Sequence, residues 1–325
     1  MKGKIILLMA MLALVFSCSK ESPETGAYVC FSVLDNAMTQ ESTKAISVEN
    51  ETTLRSSGFN VSAVRGAEGA DEQVDWFSNI RFQYVNLYKA FSGGRRWPSY
   101  DPVFRFYASN ADLSYTAGGA TVEARNTQDV VCAYHGTPVY EAVNALEFEH
   151  IFSLVSGMSL KWEPGYVLSD ILITMTPRTG GTYNIFAGRG VTDGTVGWSN
   201  VVTATEPVKL FYFPDPDAVP VQGNPYNPEV STPVKTNQMD LLLVPGEYEI
   251  TAKWTATLRS GSLQHQKTYS SSKTTLLRAG DCYALSATLG GDGSMFVLEI
   301  ERQPIVEWDA SVRFGEWVHY NELWK

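Results

Sequence analysis

The sequence is poor in charged residues, and basic residues are the scarcer kind. Charged residues make up 18% of the 325 positions, against ~25% in typical soluble domains. Apolar residues make up 44%, which is enough to bury a core and excludes a mostly disordered chain. With 25 basic and 35 acidic residues, the net charge is -10. A protein that reads a phosphate backbone needs a basic surface, so nucleic acid is excluded as a partner.

The sequence also lacks the patterns of catalytic and metal sites. Its four histidines, His135, His150, His265 and His319, lie in separate segments without the spacing of metal ligands. It has no Gly-x-Ser-x-Gly, no His-Glu-x-x-His, no Walker loop and no Gly-x-Gly-x-x-Gly after a predicted strand. We therefore expect no enzyme, no cofactor and no metal, and we expect His150 to be a hydrogen-bonded core or interface residue.

Cysteine is scarce, and its positions favour no disulfide framework. Beyond Cys18, the chain has Cys30, Cys132 and Cys282. An odd number of scattered cysteines permits at most one pair. We expect these three side chains to be small buried hydrophobes.

Long apolar runs are absent except at the start of the chain. Two lysines precede the apolar run Ile5–Phe16, which as a helix spans about 18 Å, short of a ~30 Å hydrocarbon core. A charged start and a short apolar run are typical of a signal peptide. Ser17 and Cys18 follow, a small residue and a cysteine as in bacterial lipoprotein signals. We predict a lipoprotein signal peptide over 1–17, lipid on Cys18 and a polar tether over 18–27; the alternative is an ordinary signal peptide with an incidental cysteine.

Alternating apolar segments, separated by Gly, Pro and Asn, recur along the rest of the chain. This period of two predicts strands, and so many short strands predict an all-β fold of sandwiches. Only Thr137–Val143 favours a helical turn, and Gly118–Gly119 indicates a hairpin. The predicted strands include Tyr28–Val33, Phe59–Ala63, Phe82–Tyr84, Phe104–Ala108, Leu113–Tyr115, Thr121–Val122, Val130–Tyr134, Leu146–Phe148, Ile151–Leu160, Ile171–Ile173, Val208–Phe213, Leu241–Leu243, Tyr248–Trp254, Cys282–Leu285 and Phe296–Ile300.

The length suits one large domain or two ordinary ones. The distribution of strands predicts a boundary near residue 145, with an N-terminal β-sandwich over 28–145 and a C-terminal β-sandwich over 146–325. The proline-rich segment 214–233 is interpreted as a loop of the second domain, with a linker as the alternative.

Several motifs along nearly the whole chain resemble the fimbrillin-type proteins of Bacteroidales, which are subunits of protease-assembled pili. The most specific motif is an Asp-aliphatic-aliphatic-x-Ala segment followed by Phe-x-His-x-x-Ser. The motifs are Thr43-Lys44-Ala45, Gly58–Ala63, Trp97-Pro98 ahead of Val103–Ala108, Asp129–Ala133, Phe148–Ser153, Leu243–Tyr248, Leu277–Tyr283 and Val306–Trp308.

The resemblance implies two tandem transthyretin-like Greek-key β-sandwich domains and a non-enzymatic pilus subunit or surface adhesin. It implies export as a lipoprotein to the outer membrane, proteolytic removal of the first strand, and strand exchange with other pilus subunits, in a fimbrium. Shaft, tip and anchor subunits share this fold. The alternative is a surface glycan-binding β-sandwich lipoprotein, since eight Trp and 16 Tyr could form a stacking face.

By the same resemblance, a protease cuts ahead of the second strand. Lys44 stands where the family usually has arginine, so Arg55 is the next candidate. The first strand, Tyr28–Leu34, is expected to turn Val29, Phe31 and Val33 to the core, and 35–51 is expected to be an exposed connection.

The family pattern places the closing strand's end near Trp308 and leaves a tail over 309–325. Alternating apolar residues give this tail one largely apolar face, as an inserted strand requires. Two readings stay open: the tail donates a strand to a neighbouring subunit, or it completes the subunit's own second sandwich. The candidate donor residues are Val312, Phe314, Val318, Tyr320 and Trp324.

Overall fold

The structure is a computed structural model that describes residues 28–33, 54–66, 74–98, 103–116, 119–137, 144–162, 166–213, 235–260, 263–290 and 296–303. These residues are nearly all strand, so the all-β prediction is confirmed. A helical turn at 54–57 and a short helix, Ile185–Gly188, are the helical parts of the described chain.

Twenty strands follow one another along the described part of the chain. They are β1 Tyr28–Val33, β2 Phe59–Arg65, β3 Val74–Val85, β4 Ala90–Arg96, β5 Phe104–Ser109, β6 Leu113–Thr116, β7 Gly119–Arg125, β8 Val131–Thr137, β9 Asn144–Leu146, β10 Phe148–His150, β11 Ser153–Trp162, β12 Tyr166–Met175, β13 Arg178–Asn184, β14 Trp198–Thr203, β15 Val208–Phe213, β16 Lys235–Leu243, β17 Gly246–Ser260, β18 Leu263–Leu277, β19 Cys282–Leu289 and β20 Phe296–Gln303.

One sheet has eight strands and three sheets have four. The large sheet has the order β10-β8-β5-β2-β3-β4-β1-β9. The others have the orders β16-β11-β19-β20, β15-β12-β17-β18 and β14-β13-β7-β6. The hairpin predicted around Gly118–Gly119 is confirmed, because β6 and β7 pair with Thr116 opposite Gly119.

The first core lies inside the eight-stranded sheet. Each of its eight strands contributes at least one buried side chain to it, so this sheet curves around its own interior. Aromatic rings fill much of the space, which suits strands because large flat side chains cover a pleated surface well. The rings include Phe31, Phe59, Phe82, Phe91, Phe104, Phe106 and Phe148.

The second core lies between the sheets β16-β11-β19-β20 and β15-β12-β17-β18, which form a sandwich. Trp254 is fully buried there, and its indole nitrogen donates to the Gly290 carbonyl at 3.0 Å. β15 and β16 both contribute to this core, so the proline-rich segment between them joins two strands of one sandwich.

A third group of buried residues, the joining core, links the two halves of the chain. Alternation in β5 sends Phe106 to the first core and Tyr107 to the joining core. The sheet β14-β13-β7-β6 covers this layer and takes two strands from each side of residue 145. The domain boundary near residue 145 stays a prediction, because the sheet β14-β13-β7-β6 contains strands from both sides of it.

Four strands were not predicted from the sequence. β18 is polar along most of its 15 residues, and its side chains lie mainly exposed at the edge of a sheet. An edge strand with solvent on its outer face needs no apolar alternation, so this strand carries no such signal. β4, β13 and β14 are the other three, and most side chains of β14 are exposed.

Candidate functional site

The candidate site is the position of β1 in the eight-stranded sheet. β1 pairs antiparallel with β4, with Phe31 opposite Phe91, and parallel with β9, with Phe31 opposite Asn144. The predicted first strand is confirmed over Tyr28–Val33. Val29 and Phe31 are 0% exposed and Val33 is 9% exposed, so the predicted core face is also confirmed.

Phe31 lies at the centre of an aromatic cluster. Its ring centroid is 5.1 Å from that of Phe106 and 5.2 Å from that of Phe82, both in edge-to-face geometry, and 6.4 Å from that of Phe59. Edge-to-face pairs place the positive edge of one ring against the negative face of another, which adds about 0.5–1.5 kcal/mol to each pair beyond burial. β1 is therefore held mainly by its side chains.

The other face of β1 has polar and cationic contacts. The Arg96 guanidinium lies 4.7 Å from the Tyr28 ring centroid and donates to the Tyr28 hydroxyl at 3.2 Å, and Tyr88 packs on the same ring. Burial raises the pKa of the Cys30 thiol, and a hydrogen bond with Ser92 offsets part of that rise. A thiol with a raised pKa stays protonated and unreactive at neutral pH.

The covalent link to β1 differs from its sheet neighbours. β2 follows β1 in the chain, yet β3 and β4 lie between them in the sheet. β1 is thus bonded to the body through residues 34–53 and is paired with strands far away in sequence. A cut in that segment leaves β1 held by non-covalent contacts alone. Without β1, the sheet has a gap of one strand, lined by unpaired backbone groups of β4 and β9.

Arg55, a candidate cleavage residue, lies in the helical turn just before β2. Its side chain is exposed, and its guanidinium lies 4.8 Å from the Tyr84 ring centroid. Leu54 is buried in the first core, and its carbonyl accepts from the Gly58 amide at 2.6 Å. The side chain is accessible, while the neighbouring backbone is part of a hydrogen-bonded turn that must open before a protease can bind it.

Other predicted sites fall outside the described residues. Cys18, Lys44 and the connection 35–51 are among them, as is the whole tail. The candidate donor residues Val312, Phe314, Val318, Tyr320 and Trp324 also lie there, and β20 is described as far as Gln303.

His150 is a core residue, as the sequence predicted. It is 2% exposed, and its Nδ1 lies 2.7 Å from Asp129 Oδ2. Cys132, in the joining core, has its thiol pKa raised to about 12 by burial. Cys30, Cys132 and Cys282 are all buried and none forms a disulfide.

The Leu277–Tyr283 motif forms a polar cluster with Arg302 at the end of β20, and the sequence did not predict this contact. Asp281 is 1% exposed; its two carboxylate oxygens lie 2.8 Å and 3.0 Å from Arg302 Nε and Nη2. The Tyr283 hydroxyl donates to Asp281 at 3.1 Å and accepts from the Arg278 amide at 2.8 Å. Burial raises the pKa of Tyr283 to about 12. This cluster fixes the end of β20, from which the predicted tail continues.

The described residues contain no group of three or more metal-ligating side chains. Within the same ranges, no helix is long and apolar enough to cross a membrane. The large exposed aromatics in the described chain are Tyr88 and Tyr212, and each has a partner: Tyr88 packs on Tyr28, and Lys209 Nζ lies 4.4 Å from the Tyr212 ring centroid.

Comparison with solved structures finds Bacteroides fimbrial and putative cell adhesion proteins. A fimbrial protein from Bacteroides vulgatus matches with a TM-score of 0.47 and 12% identity, over 85% of this chain and 99% of its own. A putative cell adhesion protein from Bacteroides uniformis matches with 0.43 and 12%, over 85% and 97%. One from Bacteroides ovatus matches with 0.42 and 12%, over 87% and 100%. No protein-family model and no curated protein matches the chain.

Proposed function

We propose that this chain is a non-enzymatic subunit of a fimbrium, or a cell-surface adhesin, assembled by exchange of its first strand. In this proposal a protease cuts the chain ahead of β2, β1 leaves, and a strand from another subunit takes its place. Recognition by an added strand combines backbone hydrogen bonds with pockets for alternate side chains. The sequence signal adds the first step, in which the chain is exported to the outer membrane with lipid on Cys18.

The observation that carries the proposal is the position of β1. It occupies an interior slot of the sheet, it places Val29, Phe31 and Val33 in the core, and its link to the body is the segment 34–53. Burying such side chains contributes about 1.5–3 kcal/mol each. The empty slot is therefore a high-energy site that favours binding of a strand with the same alternation.

The tail supplies a candidate for the incoming strand. It carries Val312, Phe314, Val318, Tyr320 and Trp324 at even spacings, which suits a slot that accepts alternate apolar side chains. A donor tail and a vacated slot on each subunit form a head-to-tail contact, which generates an open polymer.

Proteolysis followed by size-exclusion chromatography tests the exchange. Treatment with an Arg-specific or a Lys-specific protease distinguishes Arg55 from Lys44, with Arg55→Gln and Lys44→Gln as matched controls. We expect polymer only after cleavage, and only from chains that keep residues 309–325. Polymer from uncut chains, or a cut chain that stays monomeric with an intact tail, contradicts the proposal.

Lipid attachment has its own test. Metabolic labelling with a fatty acid should mark the wild-type chain and leave the Cys18→Ser variant unlabelled, with its signal peptide retained. Label on the variant contradicts the lipoprotein assignment and leaves the exchange hypothesis standing.

A further inference from the structure

Arg302 and Arg105 differ in what surrounds the Nε–Nη2 edge of the guanidinium. Arg302 presents Nε and Nη2 to the two oxygens of Asp281, at 2.8 Å and 3.0 Å. These two nitrogens point their hydrogens in parallel, which is why this edge takes a carboxylate through two hydrogen bonds.

In Arg105, on β5, the same Nε–Nη2 edge is buried and accepts no carboxylate from the described residues. Its side chain is 5% exposed, and Nε and Nη2 have no hydrogen-bond partner within the part of the chain that the structure describes. A buried charge without a partner is costly, because it has lost its water and gained nothing in exchange. An unsatisfied buried polar group is rare in native folds and calls for a physical explanation, of which a missing ligand is one.

The pairing register defines the surroundings of Arg105. Its cross-strand partners are Val64 on β2 and Gly136 on β8, so neither neighbour supplies a carboxylate. Tyr107 and Tyr134 are register partners two positions along, on the same face of the sheet.

Gly136 is exposed, although it lies directly opposite the buried arginine. A Cβ at Gly136 would lie 3.1 Å from the Tyr134 hydroxyl, so the phenol ring lies over the glycine. Tyr134 is only partly buried, and its ring packs on Tyr107 at 5.4 Å and Phe186 at 5.2 Å between centroids. The Arg189 guanidinium lies 4.8 Å from the Tyr134 ring centroid. A ligand that approaches Arg105 past Gly136 therefore has to displace this ring.

We propose that Arg105 is a binding site for a carboxylate ligand, which takes the Nε–Nη2 edge as Asp281 does at Arg302. The ligand chemistry is a single carboxylate beside an aromatic ring. A sugar acid and an acidic amino-acid side chain both present this group, and the experiment separates them. The site is distinct from β1, so its failure leaves the proposed function standing.

Thermal shift at matched ionic strength tests the site, with sodium acetate, sodium glucuronate and N-acetylglutamate amide as probes and glucose and chloride as references. The carboxylates should raise the melting temperature of the wild type and leave that of Arg105→Met unchanged. Arg105→Lys keeps the charge and loses the two-pronged edge, so its Kd should rise about tenfold. Arg125→Met removes an exposed arginine of β7 and should respond like the wild type.

A preference for glucuronate assigns a sugar acid, a preference for the glutamate derivative assigns an acidic side chain, and equal binding supports the carboxylate site itself. No shift in the wild type, or the same shift in Arg105→Met, overturns the proposal. If Arg105→Met does not fold, titration of the wild type followed by the Arg105 Nε–H resonance in NMR decides. A downfield shift with carboxylate supports the site, and an unchanged resonance overturns it.

Discussion

The first and last described strands, β1 and β20, are held in the fold by opposite means. β1 has six residues, an interior place in its sheet and only three register partners on each side, and it keeps its place through buried side chains such as Phe31. β20 is an edge strand with eight consecutive partners on β19, and Val297 on it is 40% exposed. Its end is fixed by the pair between Arg302 and Asp281.

These two modes of attachment determine which strand can be exchanged. Side-chain burial in a slot is a contact that any strand with the same alternation can reproduce, because backbone pairing does not depend on sequence. The ion pair of Arg302 with the buried Asp281 depends on two specific residues, so only a strand with an arginine at that position reproduces it. We therefore expect that β1 can be replaced by another strand and that β20 stays in its sheet.

Removal of the Phe31 ring, which fills the centre of the β1 slot, should have the largest effect on stability. Phe31→Ala should lower the free energy of unfolding by about 3–5 kcal/mol, because it leaves a cavity among the surrounding rings. Denaturant unfolding measures this change in the free energy of unfolding. Val297→Ala on β20 is the matched control and should change stability by less than about 0.5 kcal/mol. Similar losses for the two variants contradict a β1 held by its side chains.

Removal of Arg302 tests whether its ion pair with Asp281 fixes the end of β20. Arg302→Met leaves the Asp281 carboxylate buried without its counter-charge, and we expect a loss of about 2 kcal/mol, since the arginine itself is half exposed. Adding Asp281→Asn should recover part of that loss, which a double-mutant cycle measures. An additive cycle would mean that the two side chains do not stabilise each other.

The dependence of stability on alkaline pH tests how Tyr283 contributes to the end of β20. Tyr283 has its pKa raised to about 12, above the ~10 of an unfolded tyrosine. Its neutral form is thus favoured by folding, and this stabilisation is complete below pH ~10 and is lost as the pH rises toward 12. Tyr283→Phe should lower stability by about 1 kcal/mol at neutral pH, through its lost hydrogen bonds, and flatten the decline in that window. An unchanged alkaline slope in the variant counts against this assignment.

Thiol labelling compares the two strands within one molecule and has the smallest expected effect. Cys30 lies in β1, and Cys282 pairs with Gln303 at the end of β20. In Arg302→Met, Cys282 should be alkylated a few-fold faster while Cys30 keeps its rate, because the opening is local. Cys132, with its pKa at about 12, is the internal reference that stays unlabelled. Equal acceleration of Cys30 and Cys282 would indicate global unfolding instead.

The sequence predicted features that depend on local alternation and missed those that depend on register. The core face of β1 and the β6–β7 hairpin follow from residues next to one another. The Arg302–Asp281 pair joins positions 21 apart, and β1 pairs with β4 and β9 across long stretches of chain. Which positions meet across a sheet is set by tertiary pairing, and no short motif encodes it. The sequence did not predict the buried Nε–Nη2 edge of Arg105 for the same reason.

Replacement of β1 by an added strand can be measured directly. A protease site introduced within 35–51 is cut, and an isotope-labelled peptide with the sequence of Tyr28–Val33 is added in excess to the nicked protein. Native mass spectrometry follows replacement of the original strand, while near-ultraviolet circular dichroism reports the packing of the aromatic core. We expect the labelled peptide to enter the slot while the body stays folded. A nick that unfolds the first core, or a folded body that never takes up the peptide, would contradict it.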